Sequence, residues 1–419
     1  MTGFEILQEV EERVILVGVS TGEGDDTEQS LDELEELAKT AGAVTVGRVI
    51  QNREQIHPGT YIGTGKIAEV QQLAYEVEAT GIICDDELSP AQLKNLEEEL
   101  DLKVMDRTLI ILDIFASRAS TSEGKIQVEL AQLKYRQARL VGLGSSLSRL
   151  GGGIGTRGPG EKKLEIDRRL IKSRIAQLNR ELEEVKRHRE VARSRRSRQS
   201  TAVIAIVGYT NAGKSTLLNT LTGAQVLEED KLFATLDPTT RILELPSGQE
   251  ILLTDTVGFI RKLPHHLIDA FRSTLEEAKY ADIILHVVDA SSPQMDQQMY
   301  VVYETLKNLG VTDKKIVTLF NKQDKMTENQ PHRDLKAEKT IRISAKWGEG
   351  LGEVKQILED LLNEKNVLIE RFYDYRDAGV ISLIRKYGQL LEEEYRGDGI
   401  YVKAYVPMEI YGAVTPDRK

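Results

Sequence analysis

The octet Gly208-Tyr209-Thr210-Asn211-Ala212-Gly213-Lys214-Ser215 fits the phosphate-binding pattern G-x-x-x-x-G-K-[ST]. Its two glycines let backbone N–H groups turn inward around phosphate oxygens. A helix starting there adds the partial positive charge of its N-terminus. Lys214 is placed to neutralise β- and γ-phosphates and to matter for catalysis, and the Ser215 hydroxyl to ligate Mg²⁺. Both flanks suit the task. Ala202-Val203-Ile204-Ala205-Ile206-Val207 has the length and β-branching of a buried strand, and Thr216 opens a run to Leu221 that reads as a helix start. A chance glycine loop would not have both.

Further elements select the nucleotide. Asp255-Thr256-Val257-Gly258 follows the apolar run Ile251-Leu252-Leu253. An Asp at that strand end can hold Mg²⁺ through a water, and the Gly258 N–H can sense a γ-phosphate. Asn321-Lys322-Gln323-Asp324 follows the strand-like Ile316-Val317-Thr318-Leu319-Phe320. The Asp324 carboxylate can accept two hydrogen bonds from N1–H and the exocyclic amine of guanine. Adenine offers no such donor pair, so a buried carboxylate there would be left unpaired. Ser344-Ala345-Lys346 ends the run Ile341-Arg342-Ile343 and would close over the base. Four elements in this order, each ending a predicted strand, point to GTP and GDP.

The set resembles the translation-factor class of small GTPases. The segment Phe233-Ala234-Thr235-Leu236-Asp237-Pro238-Thr239-Thr240-Arg241 looks like the first switch of the HflX family of ribosome-associated GTPases. That resemblance implies that residues 233–237 line the nucleotide site, with the Thr235 hydroxyl completing the Mg²⁺ shell when γ-phosphate is present. Thr239 and Thr240 stand close enough to compete for that role, and a plain polar turn around Asp237-Pro238 is the bland alternative. The residue after Gly258 is Phe259, where Ras-like enzymes carry a water-orienting glutamine. HflX-like proteins share an apolar residue there, so slow intrinsic hydrolysis is expected. Asn211 stands where some related GTPases hold K⁺, although hydrogen bonding within the loop is an equal alternative. Arg241 and Arg261 flank the switches, where an exposed arginine is more often a solvated charge than a catalytic finger.

The chain has 419 residues, enough for two to four domains. It contains no run of about 18 apolar residues and opens with no signal peptide, so a cytoplasmic protein without a membrane span is expected. The single Cys84 excludes an internal disulfide, and the six histidines lack metal-ligand spacing. A monomer is expected. The net charge of −11 argues against blanket nucleic-acid binding, but its distribution is uneven.

The predicted fold class is α/β: a P-loop GTPase domain with a mostly parallel sheet, preceded by a small α/β unit and a long antiparallel helical hairpin, and followed by a small α+β tail. The expected bounds are 1–117, 118–199, 200–363 and 364–419. In the first, strands and helices alternate as in a parallel sheet. Gly63-Thr64-Gly65-Lys66 there precedes a helix and leaves ATP binding open, although a turn and helix cap explains it more simply. In the second, Ile126, Leu130, Leu133 and Leu140 mark one helical stripe, and Leu164, Ile171, Ile175, Leu178, Leu182 and Val185 another. The tip would span Gly142 to Gly160, rich in glycine and carrying Arg149 and Arg157. From Lys162 to Arg198 basic residues outnumber acidic ones about two to one, which fits RNA contact better than a merely solvated face. The family resemblance covers nearly the whole chain. It implies binding to the large ribosomal subunit and its rRNA, with the tip reaching towards the peptidyl transferase centre and a role in splitting, rescue or biogenesis. Two other readings stay open: an RNA-remodelling ATPase with GTP as regulator, and a GTP-switched factor that recruits a protein.

Overall fold

The structure is a computed structural model that describes residues 11–22, 26–147, 159–197, 201–223, 232–264, 267, 277–326, 332–364 and 366–415. Contacts group the chain into two compact units. One holds Met1–Val185 with Asp230–Phe233 and Lys262–Phe271; the other holds Lys186–Glu229, Ala234–Arg261 and Arg272–Lys419.

In the first unit, β1 (Arg13–Ser20), β2 (Val44–Asn52), β3 (Gly81–Cys84) and β4 (Lys103–Asp106) form a parallel sheet ordered β2-β1-β3-β4. The connecting helices are α1 (Thr27–Thr40), α2 (Thr64–Glu76) and α3 (Pro90–Leu100), and α4 (Arg107–Arg118) follows β4. The central strands are apolar throughout because helices cover both faces. Leu31, Leu34, Leu37 and Ala38, three and four residues apart, all point into this core from α1. Helix α3 opens with a reciprocal cap between Ser89 and Gln92 and with Pro90 in its first turn.

Buried charge ties this unit together at the C-terminal ends of β3 and β4. Arg107 is 1 % exposed and donates to Asp85 (2.7 Å), Glu33 (2.6 Å) and the Ser30 carbonyl (2.8 Å). Lys262 reaches the same Asp85 at 2.5 Å and Asp86 at 2.8 Å. Burial alone would raise the Asp85 carboxyl, but Arg107 and Lys262 beside it bring it below the usual range. Phe233 packs edge-on against Phe115, with centroids 4.7 Å apart.

Helices α5 (Ser122–Leu147) and α6 (Pro159–Ser197) pair around Leu130, Leu178 and Leu182, with Ile126, Leu133 and Ile175 against them. Glu129 meets Arg174, and the Leu140 carbonyl accepts from Arg168, so the two run antiparallel. At 39 residues α6 is about 58 Å long. The root of α5 is fixed to the parallel sheet. Tyr135 and Arg139 both donate to the buried Asp106, at 2.8 and 2.5 Å. One expectation needs correction: Gly142 and Gly144 belong to α5, because an added helical turn satisfies their backbone groups locally, and the tip is shorter than expected. Gly151, Gly152, Gly153, Gly155, Gly158, Arg149 and Arg157 lie outside the described residues.

In the second unit, β5 (Val203–Gly208), β6 (Thr239–Glu244), β7 (Glu250–Asp255), β8 (Ile283–Asp289), β9 (Lys315–Asn321) and β10 (Lys339–Arg342) form one sheet ordered β10-β9-β8-β5-β7-β6. Only β6 runs antiparallel to its neighbour. Helices α7 (Lys214–Thr222), α8 (Met295–Asn308) and α9 (Leu351–Asn363) flank it. A core of Ile204, Ile206, Leu217, Leu253, Leu285 and Leu319 links strands to helices. The remainder is an antiparallel sheet of β11 (Asn366–Tyr373), β12 (Gln389–Arg396) and β13 (Gly399–Pro407), ordered β11-β13-β12. Helix α10 (Ala378–Tyr387) and α11 (Met408–Val414), the latter not anticipated from sequence, cover one face of it.

Arg107→Ala would leave Asp85 and Glu33 buried beside a void. It is expected to destabilise the protein by about 3–5 kcal/mol, read as a lowered denaturant midpoint. An unchanged midpoint would show that the cluster is energetically neutral.

Candidate functional site

The phosphate loop owes its path to residues without, or with small, side chains. Gly208 ends β5 so close to β8 that a Cβ would collide with the Val287 carbonyl oxygen. Gly213 has φ +97°, and a Cβ there would meet the Asn321 amide. Asn211 also takes a left-handed φ of 58°, a conformation that asparagine tolerates. Helix α7 begins at Lys214, so the loop ends on a helix N-terminus with Ser215 and Thr216 in its first turn.

Lys214 is 6 % exposed and donates to the Tyr209 carbonyl at 2.8 Å, folding back across its own loop. Burial depresses its ammonium to about 8; Asp255 opposes that shift, and Lys322 adds to it. The Ser215 hydroxyl lies 2.8 Å from the Thr235 hydroxyl and donates to Asp255 at 2.7 Å. Asp255 is fully buried, and among the described residues its Oδ1 has no hydrogen-bond partner. Burial raises its carboxyl, against the pull of Lys214 and the bonds from Ser215 and Thr235. Two hydroxyls and a carboxylate with a spare oxygen form a hard donor set that fits a hydrated Mg²⁺. Thr240 bonds to Thr254 across β6 and β7, and Thr239 lies on the same strand, so Thr235 is the threonine whose hydroxyl meets Ser215.

The switch and base elements converge on this loop. Thr256 is buried and bonds the Ile206 carbonyl, Val257 is buried beside it, and a Cβ at Gly258 would meet Thr210 and Lys214. Phe259 forms a backbone bridge to the loop: its N–H donates to Gly208 at 3.1 Å, and its carbonyl accepts from Thr210 at 2.7 Å. Its ring is 1 % exposed. Ala234 and Asp237 are half-buried, and Leu236 is buried. Phe233, expected among the nucleotide contacts, has its ring committed to Phe115.

Asn321 holds the base region to the loop. It donates to the Ala212 carbonyl and accepts from the Ala345 N–H, both at 2.9 Å. Lys322 has φ +63° and pairs with Asp289 at 2.7 Å; Gln323 bonds the Phe320 carbonyl. Asp324 is exposed, with one oxygen accepting from Ser344 at 2.6 Å and so oriented. Lys346 lies over the ring of the exposed Trp347. Sequence reasoning gave no role to Asn321 as a brace or to Tyr209, whose hydroxyl accepts from the Arg261 N–H. Arg241 is exposed on β6. Elsewhere, Gly63 caps α2 and donates to Gln51, while Lys66 pairs with Glu69 at 2.6 Å.

A parallel sheet, a glycine loop on a helix N-terminus, and a base clamp together define a P-loop GTPase. Residues 203–322 match a family described as 50S ribosome-binding GTPase. Residues 28–116 and 118–196 match those described as GTP-binding GTPase N-terminal and GTP-binding GTPase Middle Region. The GTPase HflX of Lacrimispora saccharolytica is 69 % identical over 99 % of this chain and 98 % of its own length. That of Caldanaerobacter subterraneus is 50 % identical over 97 % and 94 %. A solved GTP-binding protein of Sulfolobus solfataricus in complex with GDP is 26 % identical over 84 % of this chain and 99 % of its own, with a TM-score of 0.45. The chain belongs to the HflX family of GTPases. Among the described residues no helix is long and apolar enough to cross a membrane.

Burial brings the Lys214 ammonium down to about 8 in the free protein. Bound phosphate favours the ammonium, so above that pH binding must take up a proton. Affinity for GDP is therefore expected to be level below about pH 7 and to fall above 8, approaching tenfold per pH unit. Calorimetry in two buffers of different ionisation enthalpy reads the uptake. An affinity independent of pH across that window would contradict the assignment.

Proposed function

We propose that this GTPase acts on the large ribosomal subunit as a GTP-switched factor, with hydrolysis slow alone and stimulated by the ribosome. The observation that supports it most is the pairing, in one chain, of a GTP site in a ribosome-binding family with the long basic helix α6. Phosphate contacts along such a helix supply affinity without reading sequence. The residue roles follow from the site. Lys214 meets the β- and γ-phosphates, with the loop N–H groups of residues 208–216 around them. Ser215 and Thr235 hold Mg²⁺, Asp255 holds it through a water, and Gly258 senses the γ-phosphate. Mg²⁺ would neutralise charge on the transferring phosphoryl group. Asn211 is the residue that would hold K⁺.

Phe259 offers no donor or acceptor for water from its side chain. Its backbone instead clamps the second switch to the phosphate loop. Something outside the chain must then complete catalysis, and the ribosome is the candidate that fits the family. The resemblance adds a role in separating or rescuing subunits in the cytoplasm, with the segment from Gly151 to Gly158 as the part that acts on the functional centre. Sedimentation with isolated large subunits tests the reading: binding is expected with a non-hydrolysable GTP analogue and weaker binding with GDP. A protein lacking residues 151–158 should still bind and still hydrolyse GTP, but fail to separate joined subunits. Absence of nucleotide-dependent sedimentation would overturn the reading.

Base choice is expected to rest on Asp324. Asp324→Asn replaces an acceptor with an amide that can donate to the carbonyl of xanthine, so preference should move from GTP to xanthosine triphosphate. The loss of GTP affinity should be at least about 10²-fold, since a guanine donor pair is left facing an amide. Competition binding with both nucleotides measures it, and unchanged GTP affinity would remove Asp324 from the base site.

A further inference from the structure

Among the described residues, the three-stranded sheet at the C-terminal end has one face with no helix on it. The register places three rows across that face. Glu370 pairs with Lys403 and Lys403 with Glu392; Phe372 pairs with Tyr401 and Tyr401 with Glu394. The remaining row, Leu368, Tyr405 and Gln389, lies at the end nearest α9, where the Tyr405 hydroxyl meets Glu359 at 3.4 Å and Gln389 accepts from Gln249. That end is thus in contact with the chain's own elements, and the other two rows are open. Phe372 is 45 % exposed in the open part.

The chemistry of those rows selects an occupant. Glu370, Glu392 and Glu394 surround two aromatic rings, with Lys403 between them and Arg396 at the edge. Arg396 already shows what the surface accepts: its guanidinium pairs with Glu394 at 2.7 Å and lies 4.9 Å from the Tyr401 ring centroid. A cation over an aromatic face and against a carboxylate gains from both contacts. Tyr401 donates to Glu370 at 2.6 Å, and that bond, with Glu392 nearby, pushes its hydroxyl up to about 12. Three carboxylates against Lys403 and Arg396 leave these rows one net negative charge. Aromatic rings on a sheet can also stack nucleobases, but the attached phosphates would face three carboxylates, a repulsive arrangement. This face is the reverse of α6, whose surplus is basic.

We propose that the open face of β11, β13 and β12 is a docking surface for a Lys/Arg-bearing segment of a protein on the large subunit, rather than for RNA. The proposal rests on the ribosomal reading above and adds the class of the second partner. One cationic side chain would lie over Phe372, between Glu370 and Glu394, with another at Glu392. The contact would anchor this domain independently of the rRNA contacts of the hairpin.

The test is site-specific photocrosslinking on purified large subunits with a non-hydrolysable GTP analogue. The full chain carries p-benzoylphenylalanine in place of Phe372, and a control carries it in place of Tyr387, on helix α10. The expected result is a product at position 372 that survives ribonuclease, is lost to protease, and maps to a peptide containing Lys or Arg. Position 387 should not give it. Adding Glu370→Lys with Glu392→Lys should lower the yield at least fivefold, while intrinsic GTP turnover stays unchanged. A crosslink to rRNA, a yield indifferent to charge reversal, or no product from protein that does sediment with subunits would each overturn this proposal alone. Failure to sediment at all would overturn the ribosomal reading and this one with it.

Discussion

A buried ammonium without a full anionic partner sets the terms for the nucleotide site. Lys214 lies inside the loop, bonded among the described residues to the Tyr209 carbonyl, while Asp255 offers it longer-range attraction. Burying such a charge is costly unless it is paired. Here the cost is held by a depressed pKa and by a loop that has no freedom to relax. Gly208 leaves no room for a side chain beside β8, Asn321 holds the Ala212 carbonyl, and Phe259 bonds both Gly208 and Thr210. The site's own groups satisfy one another only in part: Lys214 meets a carbonyl rather than an anion, and Ser215 occupies one oxygen of Asp255. Asp255 mirrors this, with a buried oxygen that has no partner among the described residues and a carboxyl raised by burial. Phosphate for one and Mg²⁺ for the other would relieve both, and the two ligands of a GTPase arrive together.

Those features were legible because they are local. A left-handed turn or a collision with a neighbouring strand demands glycine at one position, and the demand is visible in the residue itself. The strands β5, β7 and β9 were visible as apolar runs, and each motif follows one of them directly. What the sequence did not reveal depends on residues far apart in the chain. Arg107 reads as an ordinary helix-opening residue, and only folding brings it to Asp85 and Glu33, 22 and 74 positions away. The brace at Asn321 spans 109 positions to Ala212. Its amide type was noted within a motif, but nothing in the spacing says that it bonds the phosphate loop. The continuation of α5 through Gly142 and Gly144 is a milder case. Glycine lowers helix propensity by about 1 kcal/mol each, and the preceding turns carry the helix past them.

The switch elements acquire a different character once the two groupings of the chain are considered separately. Lys262 follows directly on the segment that carries Gly258 and Phe259. It is nevertheless grouped with the N-terminal sheet, held by Asp85 and Asp86. Phe233 stands immediately before Ala234 and Thr235, and it too is grouped with that sheet, through Phe115. Each segment thus passes from one contact grouping to the other within one residue. Lys262 adopts a left-handed φ of 52° at this junction, and Phe233 one of 55°. Backbone in that region costs of order 1 kcal/mol for a bulky side chain and persists only where surrounding contacts hold it. The contacts that hold it here are an ion pair to the buried Asp85 and an aromatic edge.

This arrangement gives position 259 a function that its side chain denies it. A glutamine there would serve the water; a phenylalanine, buried and bonded through its backbone to Gly208 and Thr210, serves the register between switch and loop. Two residues further on, the Arg261 N–H bonds the Tyr209 hydroxyl, and one residue later Lys262 is anchored on Asp85. Phe259 and Arg261 of the second switch therefore make a series of three hydrogen bonds to Gly208, Thr210 and the Tyr209 hydroxyl of the loop. An order-of-magnitude estimate of about 1 kcal/mol for each neutral bond makes the series comparable with the differential affinities that drive nucleotide switches. A buried apolar residue at 259 keeps this register through its backbone bonds and has no side-chain polar group to satisfy.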